Sequence, residues 1–554
     1  MDRRVIWAIV LMMVIAIVPT ILLKPPARPV RPATTTTAAP DSGARPTTPT
    51  PQLSAGPSTI AADTGGGDTV WVQSALYRYG IATVGGRLVS ASLPGYKSVA
   101  AADKGSPVQL MRPASNLLGL TLLVGHDTLR LNQWTLAPSA KALSITGTGT
   151  LQMTGASGSV SVDLTYNFRD NDYLVDVAGS VTGIGPNGGT LFIGMGPGLR
   201  HTEADTVDNQ RQLAIVTKTS EANATHFRKL KPGLSTALDG PFEWVAVKSK
   251  YFVTAVFALD TTLPRIIAAT ATPPAMAGKS PTVADVELSM PLGPDGRFRY
   301  QLYAGPMEYA RLRQIGHDFD DVNPYGLPGI RTLIRPVAVA VRWVLVWMHT
   351  HLHLAYGLVL VFFGIMVRLI LWPLNQKAMR ASMAMQAIQP QLKEIQTRYK
   401  SEPQKLQQEM FKLYKENHVN PFGGCWPLLI PMPVLFALFF VFGSTIELRG
   451  QSFLWLPDLS RPDPYFIIPV LMGLSMFVLS KVGMMGMPPN PQMKMMLYFM
   501  PVLMTVLFFP LASGLNLYYS VSNTASIPQQ WLLAKERLRK NPPPPPAPPP
   551  KKKP

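Results

Sequence analysis

Cysteine is almost absent from this chain of 554 residues; the single Cys425 excludes an intrachain disulfide framework and any multi-cysteine metal centre. It falls at a helix start among apolar residues and reads as a packing residue. Charge is sparse, with only 15% Asp, Glu, Lys and Arg, and acids are the scarcer sign: 32 against 51 bases, a net charge of +19. No Gly-rich phosphate loop occurs, so the sequence holds no sign of nucleotide-driven work. No cluster of His, Cys, Asp or Glu has metal-ligand spacing; His349, His351 and His353 lie two apart, which on a helix spreads them round the axis. No metal and no cofactor are therefore expected. Apolar residues, in contrast, make up 47% of a chain that also carries 54 prolines. Membrane segments joined by linkers account for that pairing.

The chain opens with Met1-Asp2-Arg3-Arg4 and an uncharged run from Val5 to Leu23, long enough to cross about 30 Å of hydrocarbon. No Ala-x-Ala site follows it, so residues 1–24 are expected to be an uncleaved anchor with a cytoplasmic N-terminus. Residues 25–68, rich in Pro, Thr and Ala, cannot bury enough apolar surface to order themselves and read as a disordered tether. Across 69–315 the pattern changes to period two. Val160, Val162, Leu164, Tyr166 and Phe168 alternate with Ser161, Asp163, Thr165, Asn167 and Arg169, and similar alternation recurs at Tyr251–Phe257 and Phe298–Leu302. Many short strands predict a large antiparallel β-sandwich, placed by the anchor outside the cytoplasm. Its acids and histidines, among them Asp163, Asp176, His201 and Glu203, show no nucleophile motif and are expected on the solvated surface, although paired carboxylates of a carbohydrate enzyme need not be close in sequence.

Beyond the sandwich, apolar residues at helical spacing with Arg331, Arg335 and Arg342 predict an interfacial amphipathic helix over 326–353. A transmembrane helix over 354–374 follows. Residues 375–420 predict a cytoplasmic helical hairpin, its stripes Met385, Ile388, Leu392, Ile395 and Tyr399, then Leu406, Met410, Leu413 and Tyr414, meeting across Ser401-Glu402-Pro403. Further spans are expected at 425–442, 465–481, 494–509 and 513–533. A periplasmic loop (443–464), a cytoplasmic loop (482–493) and a basic Pro-rich cytoplasmic tail (534–554) join or follow them. The fold class expected is thus an α+β membrane protein: six transmembrane helices, an N-terminal anchor plus a five-helix core, with the large periplasmic sandwich and the hairpin. Lys and Arg fall on the side that keeps both termini cytoplasmic.

Arg368 stands out. It interrupts the otherwise lipid-compatible stretch Leu354–Leu374, where translocon scales set a cost of about 2.5–3.5 kcal/mol for a mid-helix arginine. The side chain cannot discharge itself. Two readings stay open: it snorkels to the headgroups, about 9 Å from its Cα, or it faces a polar intramembrane recess. On the last span Asn516, Tyr519, Ser520 and Asn523 lie three or four residues apart and share a helix face. They either bond between helices or line the same recess, and a second polar face favours the recess.

Several stretches, taken together, resemble the YidC/Oxa/Alb family of membrane protein insertases: Val367-Arg368, Asn420-Pro421-Phe422-Gly423-Gly424-Cys425-Trp426-Pro427, Phe466-Ile467-Ile468-Pro469-Val470-Leu471-Met472-Gly473, and Ser513-Gly514-Leu515-Asn516-Leu517-Tyr518-Tyr519-Ser520. The sandwich, with Leu302-Tyr303-Ala304-Gly305-Pro306 near its end, resembles the periplasmic domain of Gram-negative members. The resemblance implies an inner-membrane insertase and chaperone for nascent membrane proteins, working alone or with the Sec translocon (SecYEG, SecDF), without covalent catalysis. It implies a hydrophilic groove at Arg368, Tyr519, Asn516, Ser520, Asn523 and Gly364, and an apolar substrate slide at Leu435, Met472 and Leu507, which could equally be ordinary lipid-facing residues. The hairpin is implied to recruit substrate, and hairpin and tail to meet the ribosome, with membrane lipids as the surrounding partner. Gly364 departs from the family, where a well-known member has a hydroxyl. Two other functions fit parts of the chain: an ion- or proton-coupled transporter, which would pair Arg368 with an intramembrane acid, and a membrane-anchored carbohydrate-binding protein or enzyme acting through the sandwich.

Overall fold

The computed structural model describes residues 68–259, 266–276, 278, 280–323, 331–418, 432–486 and 491–540. The anchor, the tether up to residue 67, Cys425 with the motif around it, part of the loop 482–493 and the tail beyond 540 lie outside the described residues.

The alternating stretch forms the strand Val160–Arg169, with Val162, Leu164, Tyr166 and Phe168 buried and Ser161 and Asp163 exposed. It pairs antiparallel with Thr148–Ser157 and Leu174–Thr182 inside a nine-stranded sheet. Phe252–Ala258, central in that sheet, is buried on both faces, so its alternation marks no solvent side. The region holds three sheets, of five, nine and six strands, rather than the two of a simple sandwich. One pairing, Trp71–Gln73 with Ala142–Ser144, is parallel rather than antiparallel. Trp244, Tyr77, Tyr79, Tyr166, Tyr300 and Tyr303 fill a single core that runs on past residue 315 to Phe319 and Val322. Buried hydroxyls find partners there: Tyr79 donates to Ala304 O at 2.7 Å and Tyr166 to Gly86 O at 2.8 Å.

From residue 331 onward eight α-helices are described: α1 (Arg331–Leu352), α2 (Tyr356–Ala387), α3 (Gln389–Arg398), α4 (Pro403–Glu416), α5 (Met432–Ser444), α6 (Ile467–Gly483), α7 (Pro491–Phe508) and α8 (Ser513–Lys540). The helix α1 buries Ile334, Ala338, Val341, Leu345 and Met348 against the bundle and leaves Trp343, Trp347 and Leu352 exposed. Helix α2 runs unbroken beyond the expected end of the span at 374, through Pro373, to the hairpin. The hairpin closes as its stripes require, with Ile388 and Leu413 buried among Met385, Leu392, Ile395 and Tyr414. Among the described residues only Tyr356–Lys377 is both long and apolar enough to cross a membrane; Val434–Ser444, Ile467–Gly483 and Leu497–Phe508 are apolar but shorter.

The sheets and the helices are joined by buried ion pairs. Glu447, in the turn after α5, accepts from Arg342 Nη2 of α1 at 3.1 Å and from the Tyr309 amide at 3.3 Å. Two residues on, Arg449 Nε donates to both oxygens of Glu203 at 3.0 Å, with its Nη2 on Thr202 O. This corrects the expectation for Glu203: it is not a solvated surface acid but is buried at the junction. A lone carboxylate could not stay charged there; the guanidinium makes its burial tolerable. Asp176 is likewise engaged, by Arg169 Nη2 and Gln301 Nε2, each at 2.5 Å.

Candidate functional site

The site forms where α2 crosses α8. Gly364 eases the approach: a Cβ there would sit 3.2 Å from Val521 Cγ1 and 3.5 Å from Tyr518 O, close enough that the Val521 methyl would have to give by a few tenths of an ångström. One turn on, Arg368 reaches across to α8. Its Nε donates to Ser522 Oγ at 2.9 Å and to Ser522 O at 3.1 Å. Ser522 is itself buried, and its carbonyl also accepts from Ser526 Oγ at 2.7 Å. Among the described residues no carboxylate lies within ion-pair distance of Arg368, which is half-buried. Its neighbours Leu369 and Ile370 point outward, 61% and 65% exposed, as lipid-facing side chains would.

The polar face of α8 meets a different neighbour. Asn516 is fully buried and its Nδ2 donates to Phe508 O at 3.0 Å, capping the end of α7; its Oδ1 has no partner among the described residues. Ser520 Oγ bonds back to Asn516 O at 2.8 Å and lies 3.5 Å from Ile468 O of α6, and Asn523 Nδ2 reaches Ser475 Oγ of α6 at 3.3 Å. These three therefore tie α8 to α6 and α7, whereas Arg368 docks at Ser522. At 100° per residue, Ser522 lies roughly a quarter-turn or more from that trio. Tyr519 stands between the two sides, its ring edge-on to Phe508 and to Tyr518 and its hydroxyl buried without a partner among the described residues. Gly364 packs against α8 rather than lining an opening.

Of the slide residues, Leu507 is 44% exposed, Leu435 is half-buried and Met472 is buried. Met472 turns inward because Gly473 lets α7 come so close that a Cβ there would meet Thr505 Oγ1 at 1.9 Å; the outward positions of α6 are Val470, Leu471 and Leu474. Sequence reasoning missed Ser522, which lies off the polar face it had singled out; its spacing of four from Ser526 was the available signal.

Known proteins match both parts of the chain. The YidC periplasmic domain family matches residues 69–338, and the 60Kd inner membrane protein family matches 347–541. A membrane protein insertase YidC of Haemophilus ducreyi is 31% identical over 495 residues, 86% of this chain and 88% of that protein. The chain belongs to the YidC membrane protein insertase family. The YidC of Chlorobaculum parvum is 30% identical over 85% of this chain and 82% of its own length. The match to the YidC of Chlorobaculum tepidum, at 32%, spans 67% of this chain and 65% of that protein. A crystal structure of an active YidC insertase with its first transmembrane domain resolved covers 83% of this chain and 91% of that one, at 18% identity and a TM-score of 0.34.

Proposed function

We propose that this chain inserts nascent membrane proteins through a polar recess beside Arg368, open between α2 and α8, and that it crosses the inner membrane six times with both termini cytoplasmic and the sandwich periplasmic. The observation that carries the reading is an arginine inside an apolar span, held by a neutral serine and by no acid among the described residues. A charge so placed attracts an acidic residue of an incoming extracytoplasmic tail far more strongly than it would in water. The substrate's own apolar helix then partitions into lipid and supplies the driving force.

The short helices support a shallow barrier. With 17 and 18 residues, α6 and α7 reach about 25–27 Å, less than a 30 Å hydrocarbon core. Outward-facing Leu358, Phe362 and Ile365 on α2, and Val502, Val506 and Leu507 on α7, supply a lipid-facing belt and a path along which an inserting helix can slide. We assign Tyr519, which stands between the two polar sides of α8, to the wall of the recess; Gly364 lets α2 approach α8 beside it, and Asn516, Ser520 and Asn523 hold α8 to α6 and α7 behind it. The hairpin α3–α4, with Phe411 exposed, is the candidate docking site for substrate and, with the basic tail, for the ribosome; the Sec translocon is the expected partner for larger clients. The absence of an acidic partner for Arg368 among the described residues weighs against a proton-coupled transporter. The engagement of Glu203 and Asp176 in structural bonds weighs against a carbohydrate site built on them.

The test is reconstitution of the purified chain in lipid vesicles with a substrate carrying a short acidic tail. Insertion is expected to fall in Arg368→Ala and to hold for a neutral tail. Equal insertion of both substrates by Arg368→Ala and the parent chain would remove the electrostatic step.

A further inference from the structure

A guanidinium can hold an oxyanion through two edges: the side edge, Nε with one Nη, or the end edge, Nη1 with Nη2. In Arg368 the side edge is taken. Nε donates to Ser522 Oγ at 2.9 Å and to Ser522 O at 3.1 Å, while neither Nη has a hydrogen-bond partner among the described residues. Ser522 can serve as a fixed anchor because it is only 4% exposed, sits in the middle of α8, and has a carbonyl further engaged by Ser526. The helices are near enough for this contact because Gly364, one turn before Arg368, leaves no Cβ against Val521. Arginine side chains have many rotamers, and each one frozen in advance lowers the entropy lost on binding.

We propose that Ser522 is a positioning residue for insertion: it fixes the Arg368 guanidinium so that its Nη1/Nη2 edge receives, end-on, the carboxylate of an acidic residue in the incoming tail. The assignment rests on the recess reading above and deepens it by naming the anchor and the geometry of the contact. A lipid phosphate offers the same oxyanion chemistry; the source assigned here is the substrate.

The experiment uses the full chain in vesicles of zwitterionic phospholipid, with two substrates that differ only by Asp or Asn in the tail, and repeats the assay with phosphatidylglycerol added. Ser522→Ala is expected to slow insertion of the Asp substrate about tenfold, the weight of one hydrogen bond to a charged group, and to leave the Asn substrate unchanged. Ser522→Thr, which keeps the hydroxyl, is expected to restore the rate. In an Arg368→Ala background, Ser522→Ala is expected to add nothing. Thermal unfolding of each variant in detergent reads out folding independently.

Any of five results overturns the proposal. Equal slowing of both substrates, or a Ser522→Ala effect that persists without Arg368, makes Ser522 a packing residue. Slowing that appears with the Asn substrate only when phosphatidylglycerol is present assigns the oxyanion to lipid. If Arg368→Ala slows the Asp substrate and Ser522→Ala does not, the anchor is wrong and the recess stands; if Arg368→Ala slows neither substrate, the recess charge itself has failed.

Discussion

Two arginines, 26 positions apart in sequence, are buried in opposite ways. Arg342, at the junction of sheets and helices, is 2% exposed and is matched by an opposite charge: Glu447 at 3.1 Å, with the Met307 carbonyl at 3.3 Å and the Tyr309 ring at 4.9 Å beside it. Arg368, in the apolar span, has one serine as its hydrogen-bond partner among the described residues. A charge buried for architecture comes with its opposite, because a half-satisfied ion in a dry site is costly. A charge buried beside lipid with its end edge open fits a site that completes its shell from outside. The pair separates what holds the protein together from what is left ready for a visitor.

The sharpest way to break that contrast is to remove one partner from each site. Glu447→Ala strands Arg342 and is expected to cost about 3–5 kcal/mol, read as a large drop in the thermal midpoint of the detergent-solubilised chain. Replacing both residues by apolar ones of similar volume is expected to recover most of that loss. Arg368→Met is expected to do the reverse: stability holds or rises, by at most about 2.5–3.5 kcal/mol, while insertion of acidic-tailed substrates falls. A large stability loss in Arg368→Met would show that the two arginines serve one purpose.

What the sequence made legible follows from the range of the interactions concerned. The strand at Val160–Arg169, the hairpin stripes and the apolar face of α1 were readable because period two and period 3.6 are local consequences of burial. Arg368 was readable because a charge in an apolar run is conspicuous in one dimension. Glu203 was not: its partner lies 246 positions away, and nothing near it in sequence announces a buried acid. The roles of Asn516 and Ser522 depend on which helix packs on which side of α8, a tertiary fact that a helical wheel leaves open. Met472 was misread as exposed for the same reason, since only the Gly473–Thr505 approach turns it inward.

The second junction pair extends the comparison to a smaller effect. Arg449→Ala removes a guanidinium whose side chain is 5% exposed and leaves Glu203 buried without its cation. Because a stranded carboxylate, unlike a stranded guanidinium, can take up a proton, the expected outcome is a smaller loss, on the order of 1–3 kcal/mol, together with faster protease cleavage at the junction. Insertion is expected to continue, since Arg449 bonds Glu203 and Thr202 and shares no hydrogen-bond partner with Arg368 among the described residues. Loss of insertion with an intact fold would mean that the sandwich sets the geometry of the recess.

The smallest effect tests whether a half-buried charge with no cation beside it can find another way out. Glu287, on the strand Asp285–Leu292, has no cation within ion-pair distance among the described residues; burial, and then the charge of Asp285, push its carboxyl up to about 7. Arginine has no such escape, which is why Arg368 must be served by neighbours or ligand. With the folded-state value above the unfolded one, the folded chain holds a proton that the unfolded chain has released. Stability from this group is therefore full below the ordinary carboxylate range and is lost as pH rises toward 7. Glu287→Gln is expected to raise the thermal midpoint by a few degrees at pH 8, to leave it nearly unchanged at pH 4, and so to flatten the profile between. A midpoint lowered equally at both pH values would instead mean that the carboxylate is needed charged.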